Sequence, residues 1–157
     1  MEREFSQQEL EHVIAEFMEN HATCVLATCL DDVPRASTVE FFPDGLTIYI
    51  LTEGGKKIEN IRKNPHVALA VSGPYTGWES VRGLQITGNA EIGSKGSDIF
   101  HKGQEAYRRR RKQEHAVVPG SMQVIRIVPD TIEYLDTSLG QRGLPIRHVL
   151  RCQGPPS

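Results

Sequence analysis

Long hydrophobic runs are missing. No apolar stretch of the 157-residue sequence approaches the ~18 residues that a membrane-spanning helix needs. The chain opens Met-Glu-Arg-Glu, without the apolar segment of a secretory signal, so a cytoplasmic protein without a membrane partner is expected. Cysteine is scarce: Cys24, Cys29 and Cys152 are odd in number and lack a CxxC spacing, which excludes a disulfide framework. The first two lie in an apolar run and read as small core residues. Histidines at 12, 21, 66, 101, 115 and 148 show neither HxH nor HxxxH spacing, so no zinc site is expected. An excess of positive charge is also absent: 18 Lys and Arg face 20 Asp and Glu, which argues against nucleic acid as a partner. What is left is the composition of an ordinary globular domain, long enough to bury about two-thirds of its unfolded surface without disulfide or metal.

What is present is strand-rich. Ser6-Gln7-Gln8-Glu9 has the capping-box pattern, and Leu10, Val13, Ile14, Phe17 and Met18 follow at helical spacing on one face. Thr23 to Leu30 is β-branched and apolar, stops at Asp31-Asp32-Val33-Pro34, and predicts a hairpin with a second strand over Arg35 to Phe42. Pro43-Asp44-Gly45 turns into a third strand, Leu46 to Leu51, which leads through Thr52-Glu53-Gly54-Gly55 to a short helix over Lys56 to Asn64. His66 to Ser72 reads as a central strand buried on both faces. Trp78 to Ile92 reads as a long strand bent at Gly88, as where a sheet curls. A further helix spans Ile99 to about Lys112 and ends in a run, Arg108 to Lys112, expected to be a solvated face. Met122 to Val128 and Thr131 to Asp136 predict two more strands around Pro129-Asp130. The fold class is therefore mainly β (α+β), an antiparallel barrel of some six strands with helices packed outside. One domain is expected over residues 1–140, with a Gly/Pro-rich tail, 141–157, that is partly disordered or docked on a partner subunit.

One stretch carries chemistry. The strand, glycine turn and helix start around Leu46 to Asn64 aim the unpaired N–H groups of a first helical turn outward, next to Lys56 and Lys57. Two cations there oppose the helix dipole unless an anion neutralises them. Taken alone, the lysines are better explained as solvated and the glycines as a simple turn, and GxxxxGK[ST] is absent. Period-two alternation places Arg35, Ser37, Val39 and Phe41 on one face of the second strand and Ala36, Thr38, Glu40 and Phe42 on the other. Arg35 with its neighbouring hydroxyls supplies donors suited to phosphate oxygens, and Arg35, Lys56 and Lys57 lie on elements that can converge.

The succession ATCLDDVPRASTVEFF, LTIYILTEGGKKIENIRKNPHVALAV, LQITGNAEI and VIRIVPDTIEYLD resembles the pyridoxamine 5'-phosphate oxidase-like, FMN-binding split-barrel family over about residues 6–136. The resemblance implies a six-stranded split β-barrel and a homodimer with FMN at the subunit interface. It implies that Arg35, Lys57 and Lys56 hold the 5'-phosphate. It also implies that backbone groups of Ala36, Ser37, Thr38, Ile50 and Leu51, with Thr52 close by, line the flavin ring. The flavin would carry the electron chemistry with a small-molecule donor or acceptor, and no side chain need act as acid or base.

The pattern departs from the true oxidases. Where these carry a Lys five residues after the strand Arg, this chain has Glu40; their C-terminal Trp and Arg-x-His are replaced by Arg147-His148 and no Trp beyond Trp78. Vitamin B6 oxidation is therefore not expected. The expectation is an FMN-binding flavoprotein, an oxidoreductase of unspecified substrate. The alternatives are a deazaflavin- or haem-binding relative, or a flavin binder without turnover.

Overall fold

A computed structural model describes residues 4–152 of the chain. Helix α1, Gln7–Glu19, starts where the backbone N–H of Glu9 donates to the Ser6 hydroxyl, and it buries Leu10, Ile14, Phe17 and Met18. Strands β1, Thr23–Leu30, and β2, Val33–Glu40, form the hairpin, in register from Thr23↔Glu40 to Leu30↔Val33. The chain bends at the fully buried Phe41 and continues as β3, Phe42–Asp44. Strand β4, Thr47–Thr52, and helix α2, Lys56–Lys63, lead to β5, His66–Ser72. Strand β6, Arg82–Gly93, helix α3, Asp98–Arg111, strand β7, Gln123–Asp136, a 3-10 segment Thr137–Arg142 and strand β8, Arg147–Arg151, complete it.

All strand pairs are antiparallel, in the order β2-β1-β5-β6-β7-β4-β3, with β8 beside the second half of β7. β2 and β4 lie far apart in that order, yet their Cα atoms come within 8 Å of each other. The sheet is therefore curled into a half-barrel. Its concave side holds the main core, including Leu26, Ile48, Ile50, Leu69, Ile86, Ile127 and Ile132, closed by α1 and α2. A second core, with Phe42, Tyr49, Phe100, Ala106, Val118 and Val124, lies on the opposite face of β3 and β4, beneath α3.

The class is the one expected; the elements differ in five places. First, β2 and β3 replace one strand, because Phe41 buries its ring at the bend. Second, β5 is not buried on both faces: Val67, Leu69 and Val71 face the core while Ala68 and Ala70 are exposed. Alanine is short enough to read as continuously apolar while standing on an outer face. Third, Trp78 stands in a 3-10 turn, 60% exposed, and the strand begins only at Arg82. Fourth, residues 123–136 form one strand. The register slips between Thr87 and Gly88, where a Cβ on Gly88 would lie 2.6 Å from the Val128 carbonyl. A bulge there leaves room for Pro129, which has no N–H to donate. Fifth, Arg147–Arg151 pairs with Thr131–Leu135 as β8. Pro155 and Pro156 lie outside the described residues.

The charge run of α3 is also corrected, from a solvated face to a set of docking arms. Arg108 Nε donates to the Ala116 carbonyl at 2.7 Å, Arg109 pairs with Asp44 at 3.5 Å, and Arg111 with Glu40 at 2.8 Å. The guanidinium of Arg110 reaches under the sheet end and donates to the carbonyls of His21, Phe41 and Met18 at 2.6, 3.0 and 2.7 Å. Carbonyls at and just past a helix C-terminus are short of intrahelical partners, and an arginine from another helix supplies further donors to them here. Burial lowers the pKa of Arg110, an effect offset in part by Glu19 and Glu40.

Candidate functional site

β3 pairs with β4 only through Phe42–Asp44, opposite Thr47–Tyr49. Beyond that point Ile50, Leu51 and Thr52 pair with β7 on one edge and, among the described residues, with no strand on the other. β2 likewise pairs with β1 alone. Two strand edges therefore diverge from the bend at Phe41, and each presents main-chain N–H and C=O groups to the gap between them. The gap is a slot edged by such groups, which seek hydrogen-bond partners.

The open end of the slot is the glycine turn. Gly54 and Gly55 have φ of 129° and 94°, values that L side chains rarely adopt, with nothing within 4 Å of where either Cβ would lie. The buried Thr52 hydroxyl braces the turn, accepting from the Gly54 N–H at 3.2 Å and lying 3.1 Å from the Gly54 carbonyl. α2 follows with Gly55 at its N-cap and no side chain capping it. Its first N–H groups are therefore left for another acceptor.

Arg35 and α2 lie on the same side of the sheet. Arg35 pairs with Thr28 across the hairpin, and directly opposed residues share a face. That face is the inner one, since Thr28 is buried and its hydroxyl accepts a 3.0 Å hydrogen bond from the Asn60 side chain of α2. Lys57 stands one turn before Asn60 on the same face of α2, and it is half-buried. Neither Arg35 nor Lys57 has an ion-pair partner among the described residues. Lys56, by contrast, is exposed and pairs with Glu59 at 3.2 Å. Two cations without ion-pair partners, the exposed Arg35 and the half-buried Lys57, thus lie on the same side of the sheet as an uncapped helix start.

The remaining expected site residues divide by face. Ser37 shares the inner face with Arg35, while Ala36 and Thr38 point to the exposed outer face, so they can offer the slot only main-chain groups. Ile50 is fully buried in the main core, and Leu51 turns the other way, into the second core under α3. Both likewise offer only their backbone to the gap, and the Thr52 hydroxyl is spent on the turn. Sequence reading missed Thr28 and Asn60, which are 32 residues apart and fix how α2 sits against β1. The one signal was a polar residue between Ile58 and Ile61 on the apolar face of α2. In the sequence Glu40 shows only as a reversal of charge; its pairing with Arg111 has no local signal. No helix among the described residues is long and apolar enough to cross a membrane. The three cysteines are free thiols, and burial pushes that of Cys24 up to about 12.

Comparison with known proteins places this geometry. General stress protein 26 of Bacillus subtilis is 30% identical over 88 residues, 55% of this chain and 62% of that protein's length, so the match spans less than two-thirds of it. A candidate pyridoxamine 5'-phosphate oxidase from Listeria innocua is 30% identical, with a TM-score of 0.66 over 81% of this chain and 98% of that one. At lower identity the fold is shared with an FAD-binding protein from Mesorhizobium loti (20%, TM-score 0.59, 74% and 87% of the two chains). It is shared too with a haem-binding protein from Mycobacterium smegmatis (15%, TM-score 0.70, 96% and 60%). The family model described as pyridoxamine 5'-phosphate oxidase matches residues 10–136, most of the chain, and the protein belongs to that family.

Proposed function

We propose that this protein binds FMN in the slot between β2 and β4 and serves as an FMN-dependent oxidoreductase. The observation that carries the reading is the pair of unpartnered cations, Arg35 and Lys57, on the same side of the sheet as the uncapped N-terminus of α2. A terminal phosphate on the ligand would neutralise the cations and accept from the helix N–H groups. The FAD-binding protein from Mesorhizobium loti supports a flavin in this fold. Haem is less well served: the iron is commonly held by His, Cys, Met or Tyr, and none of these occurs in residues 35–38 or 50–57.

In this reading Arg35 and Lys57 hold the phosphate, with Lys56 at the rim. The backbone of Ala36, Ser37, Thr38, Ile50 and Leu51 meets the polar edges of the ring, and Thr52 keeps the turn in the shape that aims α2. The flavin supplies electron transfer, while the chain contributes position and a dry, hydrogen-bonding slot. The electron partner is a small molecule. A second copy of the chain is the proposed cover of the outer face of β1, β2 and β5, which exposes Val25, Ala36, Ala68 and Ala70.

The test is FMN affinity in Arg35→Ala and Lys57→Ala, beside riboflavin, which lacks the phosphate. A lost charged hydrogen bond is worth about 1.5–3 kcal/mol, so each variant should bind FMN about ten- to a hundredfold more weakly, with riboflavin binding unchanged. Unaltered FMN affinity in both variants would remove the phosphate site.

A further inference from the structure

At the bend where the slot closes, the structure holds a small cavity. Continuing the Phe42↔Tyr49 pairing two places would set Glu40 opposite Leu51, and both residues line a pocket of about 280 Å³ on the α3 side of the strands. Its walls are apolar and aromatic: Phe42, Leu51, Tyr107, Val118 and Met122. Its charged groups are Glu40 and Arg111, 2.8 Å apart, with the guanidinium 5.4 Å from the centroid of the Tyr107 ring. At this volume, near the lower end of ligand pockets (about 300–1,000 Å³), it has room for one or two fused rings.

We infer that this pocket binds a small, uncharged, flat apolar molecule, and that Glu40 makes it reject anions. Left alone, Arg111 over Tyr107 would be a fork suited to a phosphate or carboxylate. Glu40 occupies that fork and adds a negative charge at the pocket wall, and like charges brought together during desolvation disfavour the wrong ligand. The slot and the pocket thus divide the work by charge: cations without partners on the Arg35 side, and a cation already neutralised at Glu40. Leu51 connects them, with its backbone on the slot and its side chain in the pocket. As the site of the flavin's electron partner, the pocket rests on the FMN reading; as a binding site it stands on its own lining.

The experiment uses the full chain and two probes of the same shape, 1-naphthol and 1-naphthyl phosphate, with affinities from calorimetry. The native protein should bind naphthol at least tenfold more tightly than the phosphate. Glu40→Gln, which frees Arg111, should reverse that order, while Arg111→Met should leave naphthol binding in place. Met122→Trp, filling the pocket, should abolish naphthol binding. Equal or tighter binding of the phosphate by the native protein, no binding of naphthol, or an unchanged order in Glu40→Gln would each overturn the proposal. FMN affinity is measured in parallel. Naphthol selectivity without FMN binding upholds the pocket and sinks only the cofactor reading; FMN binding without naphthol selectivity does the reverse.

Discussion

Four consecutive arginines, Arg108 to Arg111, should differ sharply in what they contribute to stability. Arg110 is the distinct one. It donates three hydrogen bonds of 2.6–3.0 Å to main-chain carbonyls at the end of α1 and at the Phe41 bend. It also stacks 5.0 Å from the Phe41 ring centroid. A hydrogen bond to a charged group is worth about 1.5–3 kcal/mol, but the three share one guanidinium and water can reach some of the freed carbonyls, so about 3 kcal/mol in total is expected for Arg110→Ala. For a domain of this size that is a fall in Tm of about 6–12 °C. Arg109 and Arg111 make half-exposed ion pairs, with side chains 56% and 44% exposed, so each is worth about 0.2–1 kcal/mol. Arg108 makes one bond, to the Ala116 carbonyl, and should fall between. The assay is urea unfolding of the four alanine variants, with Arg110→Met as a control that keeps the apolar stem but no donor. If Arg110→Ala lies within about 0.5 kcal/mol of Arg109→Ala, or Arg110→Met is as stable as the native protein, the Arg110 hydrogen bonds are not what ties α3 to the end of α1.

Gly88→Ala should destabilise by about 1–3 kcal/mol, because its Cβ would meet the Val128 carbonyl at 2.6 Å and Pro129 Cα at 3.1 Å, and backbone must move; a neutral result in denaturant melts contradicts the bulge geometry. Cys24 keeps its proton in the native state up to about pH 12, while the unfolded chain loses it from about pH 9. The native state thus holds the extra proton, so stability should fall as pH rises through that window, by up to about 1.4 kcal/mol per unit. Cys24→Ala should show a correspondingly shallower alkaline decline, and identical slopes would refute the assignment. Thr28→Val should cost about 1–3 kcal/mol by leaving the Asn60 amide buried without its partner, and adding Asn60→Leu should recover part of the loss; strictly additive losses in a double-mutant cycle would show that the pair does not couple α2 to β1.

What the sequence disclosed, it disclosed through local signals. The Ser6 cap, the β1–β2 hairpin, the Gly54-Gly55 turn and the bend at Gly88 each rest on residue chemistry within a few positions, and each lies where expected. The placement of Arg35 with Ser37 on one face followed from period two alone. The misreadings share a cause, which is that burial is decided by distant chain. Ala68 and Ala70 look like core in HVALAVS, but which face of β5 is covered depends on the curl of the whole sheet. The arginine run resembles a solvated helix end until α1, 89 or more residues earlier, brings its carbonyls to Arg110. Residues 147–151 lack a strong strand pattern, yet the far half of β7 offers an edge that they fill. The main-chain edges of β2 and β4 that make the slot carry no sequence signature, since any residues can supply backbone N–H and C=O groups.

The central claim is that a phosphate-bearing flavin sits between β2 and β4, and FMN titration of the apo-protein, read by quenching of flavin fluorescence, tests it most directly. Tight, saturable binding of FMN is expected, with riboflavin at least tenfold weaker, the difference being the phosphate held by Arg35, Lys57 and the start of α2. Equal affinity for FMN and riboflavin, or no binding of FMN alongside a Soret band on haem addition, would contradict it.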